Sequence, residues 1–516
     1  MMGAKERAFG PLPPVSLEDL VPPDHFYRHL ERVLDLAFVR ELVRGTYADI
    51  GRPSIDPVVF FKMQLILFFE GLRSERQLLR VVADRLSLRW YLGYDLAEPL
   101  PDHSSLTRIR ERYGLAIFRR FFEAVVEQCI AAGLVWGEEL YIDATKVAAN
   151  ADLDSLQARF AVEAHLAHLF AAERGGQAGD RGGDDDESDP DRATRADAPT
   201  RLPVALTEEA RAALTDRAAA RHDWIEEAGR PDRGATSGAY RRTADFRVST
   251  TDPDASPLPS GDGRTRLGYQ DHYVVDGGQA RIILAALVAP AEVQENQPAL
   301  DLLWRARFRW KLRPRQVTGD TKYGTVENVA AIEREGIRAY VPLSEVGHRA
   351  GQFRGTDFVY NAQEDTYRCP GSETLRFISQ CDRTQRRVYE APTAACAACA
   401  LRAQCTSSQR GRRIGRSLDE ASLERVRGYH TTDPFAKAMR KRAVWVEPLF
   451  AEAKEWHGLR RFRLRGSAKV NIQAQLIASG QNLKRLLSRR GWGRRPWPGG
   501  APGVVLAAPR PAIVVQ

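Results

Sequence analysis

Two short segments that each run into an aspartate constrain the fold of this chain more than any other feature. Residues 140–142 lead to Asp143, and residues 315–318 lead to Asp320. Both segments are predicted as strands that end on the carboxylate. The rest of the pattern predicts a hairpin of buried strands at 272–276 and 280–290, a helix at about 297–308, another helix, and a last strand at 337–343. This order predicts an α/β fold with a mixed sheet flanked by helices.

The region before the first predicted strand, residues 24–135, has apolar residues at helical spacing and predicts an all-α domain. Its most apolar part, residues 58–69, is shorter than the ~20 residues that a bilayer span needs. Asp56 and Pro57 precede this part and predict the start of a buried helix. The many arginines of the region fit either a DNA-binding helix pair or plain helical packing, and the pattern leaves both open.

Charge and composition set broad limits on function. The 516 residues include 76 Lys and Arg against 67 Asp and Glu, a net charge of +9, and 43% are hydrophobic. The length allows two or three domains, and the basic balance suits a nucleic-acid-binding protein without singling one out. No secretory signal opens the sequence, so we expect a cytoplasmic protein that does not enter a membrane.

Two stretches of the chain are predicted to lack a fixed structure. Residues 175–199 are rich in Gly, Asp and Pro, and lie in a predicted helical and disordered insertion at about 152–245. The acidic run at 184–187 predicts a solvated linker rather than a metal site, because nothing there would hold ligands rigidly. The Pro- and Gly-rich tail from residue 491 is also predicted to be disordered.

Five of the six cysteines lie between residues 369 and 405, which favours a metal site over disulfides in a chain without an export signal. Cys396 and Cys399 form one CxxC pair. Together with Cys369 and Cys405 they make a possible four-sulfur site for structural Zn²⁺, with Cys381 to spare. A reduced cluster without metal and a redox role stay open as alternatives.

Carboxylates on rigid strand ends favour a metal site. Such a cluster is costly alone, because like charges raise one another's pKa, and a divalent cation relieves the cost. A helix further on offers Glu447, Glu452 and Glu455, and Glu447 shares a helix face with Lys454. Two ions about 4 Å apart on such oxygens support phosphodiester chemistry. An ordinary amphipathic helix with solvated charges is the alternative for the helix alone.

Taken together, five motifs in this order resemble the DDE transposases of bacterial insertion sequences, in the branch with a ribonuclease H-like catalytic domain. The motifs are YIDATKVAANAD, STTDPDA, GYQDHYVVD, VTGDTKYG and VEPLFAEAKEWHGLRRFRLRG. The resemblance covers roughly residues 24–490, and it implies that Asp143, Asp320 and Glu447 are catalytic and bind Mg²⁺ or Mn²⁺. The family's arginine is expected four positions before the glutamate, where this chain has Ala443, and Arg442 lies one position off.

The resemblance also implies a domain order: a ribonuclease H-like sheet preceded by an all-α domain and interrupted by helical/acidic and cysteine-rich insertions. The expected parts are an N-terminal arm (1–23), a helical DNA-binding-type domain (24–135), the first part of the catalytic domain (136–343), a cysteine-rich insertion (344–430), C-terminal catalytic helices (431–490) and the tail (491–516).

A basic neighbourhood around Glu447 predicts contact with DNA. Between residues 437 and 465 nine Lys or Arg face three Glu, a density that suits the phosphate backbone and predicts binding that weakens with salt. The predicted DNA-binding residues are Arg442, Lys454, Arg460, Arg461, Arg463, Arg465 and Lys322. The family resemblance implies DNA partners, namely the terminal inverted repeats and the target, and a homo-oligomer assembled on them.

The activity implied by the resemblance is metal-dependent strand cleavage at element ends, followed by strand transfer into target DNA. Two alternatives remain at this level. One is a DNA-binding protein without chemistry, and the other is a nuclease that cuts without joining.

Overall fold

The computed structural model of the chain describes residues 16–48, 54–158, 247–259, 263–343, 351–382 and 384–493. The predicted linker at 175–199, nearly all of the insertion at about 152–245, and the tail beyond residue 493 lie outside the described residues. Within them the chain is a mixed α/β protein with a helical N-terminal region, as predicted from the sequence. No helix of the described part is long and apolar enough to cross a membrane.

The N-terminal region consists of helices, which confirms the helical spacing read from its sequence. They are α1 (Leu17–Leu20), α2 (Phe26–Val33), α3 (Phe38–Val43), α4 (Pro57–Phe69), α5 (Glu75–Asp84), α6 (Leu86–Leu92) and α7 (His103–Ala131). Helix α4 begins as predicted, since Asp56 Oδ1 accepts a hydrogen bond from the backbone N–H of Val58 at 2.7 Å and Pro57 occupies the first turn.

The central sheet has six strands: β1 (Glu139–Ala148), β4 (Ser256–Pro259), β5 (Thr265–Asp276), β6 (Ile283–Pro290), β7 (Gln316–Thr318) and β8 (Arg338–Tyr340). β1 is antiparallel to β5 and parallel to β7, which is parallel to β8. On its far side β5 pairs with both β4 and β6, antiparallel in each case. Strands β2 (Leu156–Ala158) and β3 (Arg247–Ser249) form a separate pair.

The first predicted strand is longer than its sequence suggested. Asp143 does not end β1 but lies in its middle, opposite Tyr273 of β5. The polar residues Thr145 and Lys146 stay in the strand because the ladder with the long partner β5 continues as far as Ala148 and Gly268. Strand β7 does end just before Asp320, as predicted.

The last helix attaches to the free edge of β6 through two asparagines. Helix α15 (Ser467–Arg489) carries Asn471 and Asn482, both buried. The side-chain oxygen of Asn482 accepts from the N–H of Ile283 at 2.9 Å, and its amide donates to the carbonyl of the same residue at 2.8 Å. Asn471 makes the same pair of bonds with Val288, at 2.8 and 2.9 Å. The two amides therefore satisfy backbone groups of β6 much as a neighbouring strand would.

Helices also cover the sheet between and after its strands. They are α8 (Ala299–Arg309), α9 (Val326–Arg334), α12 (Glu420–Tyr429), α13 (Asp433–Trp445) and α14 (Glu447–Trp456). Pro448 lies in the first turn of α14, after α13 has ended, so it marks the start of a new helix rather than a kink within one.

The cysteine-bearing part forms a second, antiparallel sheet in the order β13-β12-β11-β10-β9. Its strands are β9 (Val359–Asn361), β10 (Thr366–Arg368), β11 (Thr374–Cys381), β12 (Arg386–Glu390) and β13 (Arg413–Ser417), with short helices α10 (Thr393–Ala397) and α11 (Arg402–Cys405). Its core cluster is small and separate from the main core, with buried Phe358, Tyr367, Leu375, Tyr389, Ala391 and Ile414.

Candidate active site

The side chain of Arg442 lies between Asp143 and Glu447. Arg442, near the end of α13, donates from Nη1 to Asp143 Oδ2 at 2.6 Å. Its Nη2 lies 3.9 Å from Glu447 Oε1. The Asp143 and Arg442 side chains are largely buried, at 11% and 16% exposure, whereas Glu447 is 60% exposed. Arg442 thus places a positive charge between the central strand of the sheet and the first residue of α14.

Burial and neighbouring charges shift the pKa of Asp143 to about 6. Burial is the main cause, because a desolvated carboxylate is disfavoured as an anion. The Arg442 guanidinium and the N–H of Ala144 oppose the shift, while the carboxylates of Asp320 and Glu295 add to it. Asp143 therefore lies within electrostatic reach of two further acids.

Asp320 stands at the start of a short 3₁₀ turn, Thr321–Tyr323, and its Oδ1 accepts from the N–H of Lys322 at 2.9 Å. The Lys322 ammonium group forms an ion pair with Glu295, which is 9% exposed. Burial lowers the pKa of Lys322, but the charges of Glu295, Asp320 and Asp143 raise it overall. The Lys322 ammonium group is thus held by Glu295, and its backbone N–H by Asp320.

Tyr323 is a buried neighbour of the same acids. Its side chain is 2% exposed, and among the residues that the structure describes its hydroxyl has no hydrogen-bond partner. Burial raises its pKa well above the ordinary value, and the carboxylates of Asp143, Glu295 and Asp320 act in the same direction. Asp143, Glu295 and Asp320 therefore influence one another electrostatically where β1 and β7 run side by side, and Arg442 links Asp143 to Glu447.

Lys454 lies on α14 two turns after Glu447, but it is turned partly inward. Burial and the charge of Arg460 lower its pKa, and the carboxylate of Asp271 raises it. Asp271, on β5, is fully buried, and burial raises its pKa well above the ordinary value. The Lys454 ammonium group therefore interacts electrostatically with the buried Asp271 on β5.

The arginines after α14 divide into exposed and buried ones. Arg460, Arg461 and Arg465 are exposed, and the last two donate to the carbonyls of Ala149 at 3.1 Å and Asn150 at 2.9 Å. These bonds fix the segment along the end of β1, where the side chains remain open to solvent.

Arg463 differs from its neighbours, because it is partly buried and lies near an acid of the N-terminal helices. Its Nη1 lies 3.6 Å from the buried carboxylate of Glu75 on α5, which also pairs with Arg110. Burial lowers the pKa of Arg463 to about 10. The Arg463 guanidinium therefore links the C-terminal segment to the N-terminal helices, and whether it also contacts DNA stays a prediction.

Three residues of the site were missed by the reasoning from sequence: Glu295, Tyr323 and Asp271. Glu295 lies in the polar connection AEVQENQPA before α8, where no periodicity marks it. Tyr323 and Asp271 belong to motifs that pointed to the family, GDTKYG and GYQDHYVVD, but nothing in either motif signalled a role for them.

The oxygen donors of the cluster suit a hard divalent cation, because Mg²⁺ binds carboxylates and keeps several waters. Within the described ranges no group of three or more His, Cys, Asp and Glu side chains stands in metal-ligand geometry. The Arg442 guanidinium occupies the space between Asp143 and Glu447, so a positive charge is already held where a cation would neutralise these acids.

The structure brings together the four cysteines that the sequence predicted as a zinc site. Cys369, Cys396, Cys399 and Cys405 line one cavity, whereas Cys381 lies at the end of β11. All six cysteines of the chain are free thiols. Cys129 is fully buried in the main core, as its apolar helix face predicted.

Family models match two parts of the chain, one near its N-terminus and one in its C-terminal third. A family model described as "Transposase domain (DUF772)" matches residues 15–112, and one described as "Transposase DDE domain" matches residues 368–487. The second match includes Glu447 and the four clustered cysteines. No curated protein and no solved structure matches the chain.

Proposed function

This chain belongs to the DDE transposases of insertion sequences, and we propose that it cleaves DNA at the element ends and transfers the freed strand into target DNA. The observation that carries the proposal is the link from Asp143 through Arg442 to Glu447, with Asp320 in electrostatic reach of Asp143. Residues from β1, from the turn after β7 and from the start of α14 thereby share one site.

The strand arrangement supports a ribonuclease H-like catalytic domain. Read from one edge, β6, β5, β1, β7 and β8 follow one another, and only β5 runs against the direction of the others. In such a sheet the central strand and its parallel neighbour can present carboxylates side by side. Asp143 on β1 and Asp320 after β7 fit this arrangement.

Asp143, Asp320 and Glu447 would hold Mg²⁺ or Mn²⁺, which supplies Lewis-acid stabilisation of the charge that develops on phosphodiester oxygens. The chain's own residues prepare the site. Arg442 donates to Asp143 and lies 3.9 Å from Glu447, Lys322 next to Asp320 pairs with Glu295, and Tyr323 is buried. Preorganised charge of this kind is the main catalytic device available to a protein in phosphoryl chemistry.

We propose that the exposed arginines at the end of β1 bind DNA. Arg460, Arg461 and Arg465 are open to solvent there, so they can contact backbone phosphates. The match of residues 15–112 to a transposase domain supports a role for the N-terminal helices in recognising the element ends.

The test uses the full-length chain and a duplex that carries the terminal repeat found beside its gene, labelled at the 5′ end of the transferred strand so that the label stays with the element end after cleavage. Asp143→Asn, Asp320→Asn and Glu447→Gln should each lose Mg²⁺-dependent cleavage by at least about 100-fold while still binding the duplex. Glu455→Gln, an exposed change on the same helix, is the matched control and should cleave normally.

Three results would overturn the proposal in whole or in part. Wild-type cleavage by any one of the three variants would remove that residue from the site. Cleavage by the wild type without any labelled strand joined to target DNA would make the chain a nuclease, and binding without cleavage would make it a DNA-binding protein.

A further inference from the structure

The four clustered cysteines line, with ten other residues, a cavity of about 20 Å³. Cys369 comes from the turn after β10, Cys396 from α10, Cys399 from the following turn, and Cys405 from α11. Four thiols from separate elements beside one small cavity suit a single metal ion.

Backbone groups already point at two of these sulfurs. The N–H of Glu373 lies 3.3 Å from Cys369 Sγ, and the N–H of Arg412 lies 3.4 Å from Cys396 Sγ. Gly371 leaves room beside Cys399 and Cys369, since a Cβ there would lie 3.2 Å from Cys399 Sγ and 3.6 Å from Cys369 Sγ. N–H groups in these positions could also donate to the sulfurs of a bound metal, as outer-shell groups of metal sites do.

The second sheet also needs an additional source of stability. Its core cluster has six buried residues, and Cys369, Cys396 and Cys405 pack against them partly buried. A core of this size supplies little free energy of folding, and natural domains of this kind add disulfides or a structural metal. Every cysteine here is a free thiol, so disulfides do not fill that role.

We propose that Cys369, Cys396, Cys399 and Cys405 bind one structural Zn²⁺ that fixes the cysteine-bearing sheet. The thiols line the cavity without standing in ligand geometry, so binding would turn the sulfurs toward one point and release their protons. Soft thiolate ligands in a set of four select Zn²⁺ over hard cations, and they leave no open position for catalysis.

The surrounding charges suit this assignment. Four thiolates and Zn²⁺ carry a net charge of −2, and the side chains of Arg402 and Arg412 line the same cavity. Arg412 donates to the carbonyls of Cys405 at 2.8 Å and Phe353 at 3.1 Å, which holds its guanidinium beside the cluster. The site is independent of the acidic cluster, so it stands whether or not the chain cleaves DNA.

The experiment measures zinc in the full-length chain, purified under reducing conditions and dialysed against buffer with a trace of Zn²⁺. We expect about one zinc per chain by elemental analysis. Cys396→Ser and Cys399→Ser should each reduce zinc content at least tenfold, while Cys381→Ser and Cys129→Ser, the matched controls, should keep it.

A second measurement does not depend on how the variants fold. Wild-type chain loaded with Co²⁺ should show the visible bands of tetrahedral cobalt and the near-ultraviolet sulfur-to-metal absorption of a four-thiolate site. Absence of zinc and of these bands in the folded wild type would overturn the proposal. Loss of zinc in Cys381→Ser as large as in Cys396→Ser would overturn the choice of ligands.

Discussion

The guanidinium of Arg442 donates to the carboxylate of Asp143 at 2.6 Å, and both side chains are largely buried. The arginine comes from the last turns of α13 and the aspartate from the middle of β1, so the contact joins two distant parts of the chain. Without Arg442 the Asp143 anion would lose the positive charge that, with the N–H of Ala144, opposes the effect of burial on its pKa. We therefore expect the Arg442 guanidinium to stand in for a bound cation.

Arg442→Ala should destabilise the chain in the absence of divalent cation. Removing one partner of a buried ion pair leaves an uncompensated charge, which costs on the order of 3 kcal/mol. A cation bound by Asp143 should restore part of this loss. We expect the rise in melting temperature on adding Mg²⁺ to be larger in the variant than in the wild type.

Arg440→Ala provides the control, since Arg440 is exposed on the same helix. Its melting temperature should remain close to that of the wild type with and without Mg²⁺. An equal response to Mg²⁺ in Arg442→Ala and the wild type would contradict the view that this guanidinium stands in for a cation.

The ion pair between Lys322 and Glu295 predicts two variants with opposite effects on the metal requirement. Glu295→Gln removes a negative charge from the acidic cluster and should raise the Mg²⁺ concentration for half-maximal cleavage several-fold. Lys322→Met removes a positive charge and should lower it. Titration of cleavage rate against Mg²⁺ at constant ionic strength measures both changes.

The double variant separates charge from structure. Glu295→Gln with Lys322→Met restores the net charge of the cluster, so its half-maximal Mg²⁺ concentration should return toward that of the wild type. A shift in the same direction in both single variants would mean that the pair acts by holding the backbone in place rather than through its charge.

The parts of the site that were predictable from sequence are those marked by a repeated local pattern. Asp320 follows a short strand and opens a turn, and the chain behaves locally as its residues suggest. Asp143 was identified correctly as a residue on a strand, but not as one in its middle. The reason is that the length of β1 is set by pairing with β5, which begins far along the chain.

Contacts between distant segments account for the other differences. Arg442 is one position away from where the family pattern expects an arginine, yet it reaches Asp143 because α13 ends at Trp445 and α14 begins anew. Arg463 was grouped with its exposed neighbours, whereas Glu75 of the N-terminal helices draws it inward. Neither outcome has a local cause in the sequence.

Asn482 offers a test of how α15 holds the edge of the sheet. Asn482→Ala leaves the N–H and the carbonyl of Ile283 without their partners in a buried position, which should lower the free energy of unfolding by about 2–4 kcal/mol. Urea unfolding measures this change. Ser488→Ala, an exposed change on the same helix, should alter stability by less than about 0.5 kcal/mol, and an equal loss in both would contradict the role of the amide.

His272 predicts a loss of stability in mild acid. It lies on β5 between Ala144 of β1 and Leu287 of β6, it is fully buried, and burial lowers its pKa to about 4 from an ordinary value of 6.5. Below pH 6.5 the unfolded chain binds a proton that the folded chain excludes. This contribution to stability is therefore complete above pH 6.5 and is lost as the pH falls toward 4, by on the order of 2 kcal/mol between pH 7 and 5.

His272→Leu should remove this part of the pH dependence, because the new side chain does not titrate. It should also raise stability at pH 7, since within the described residues both ring nitrogens are buried without a hydrogen-bond partner. Chemical unfolding of both proteins at pH 5, 6 and 7 tests the prediction. The difference between the two free energies of unfolding should grow toward acid, as other groups titrate equally in both. A constant difference across this range would mean that His272 is protonated as easily in the folded chain as in the unfolded one.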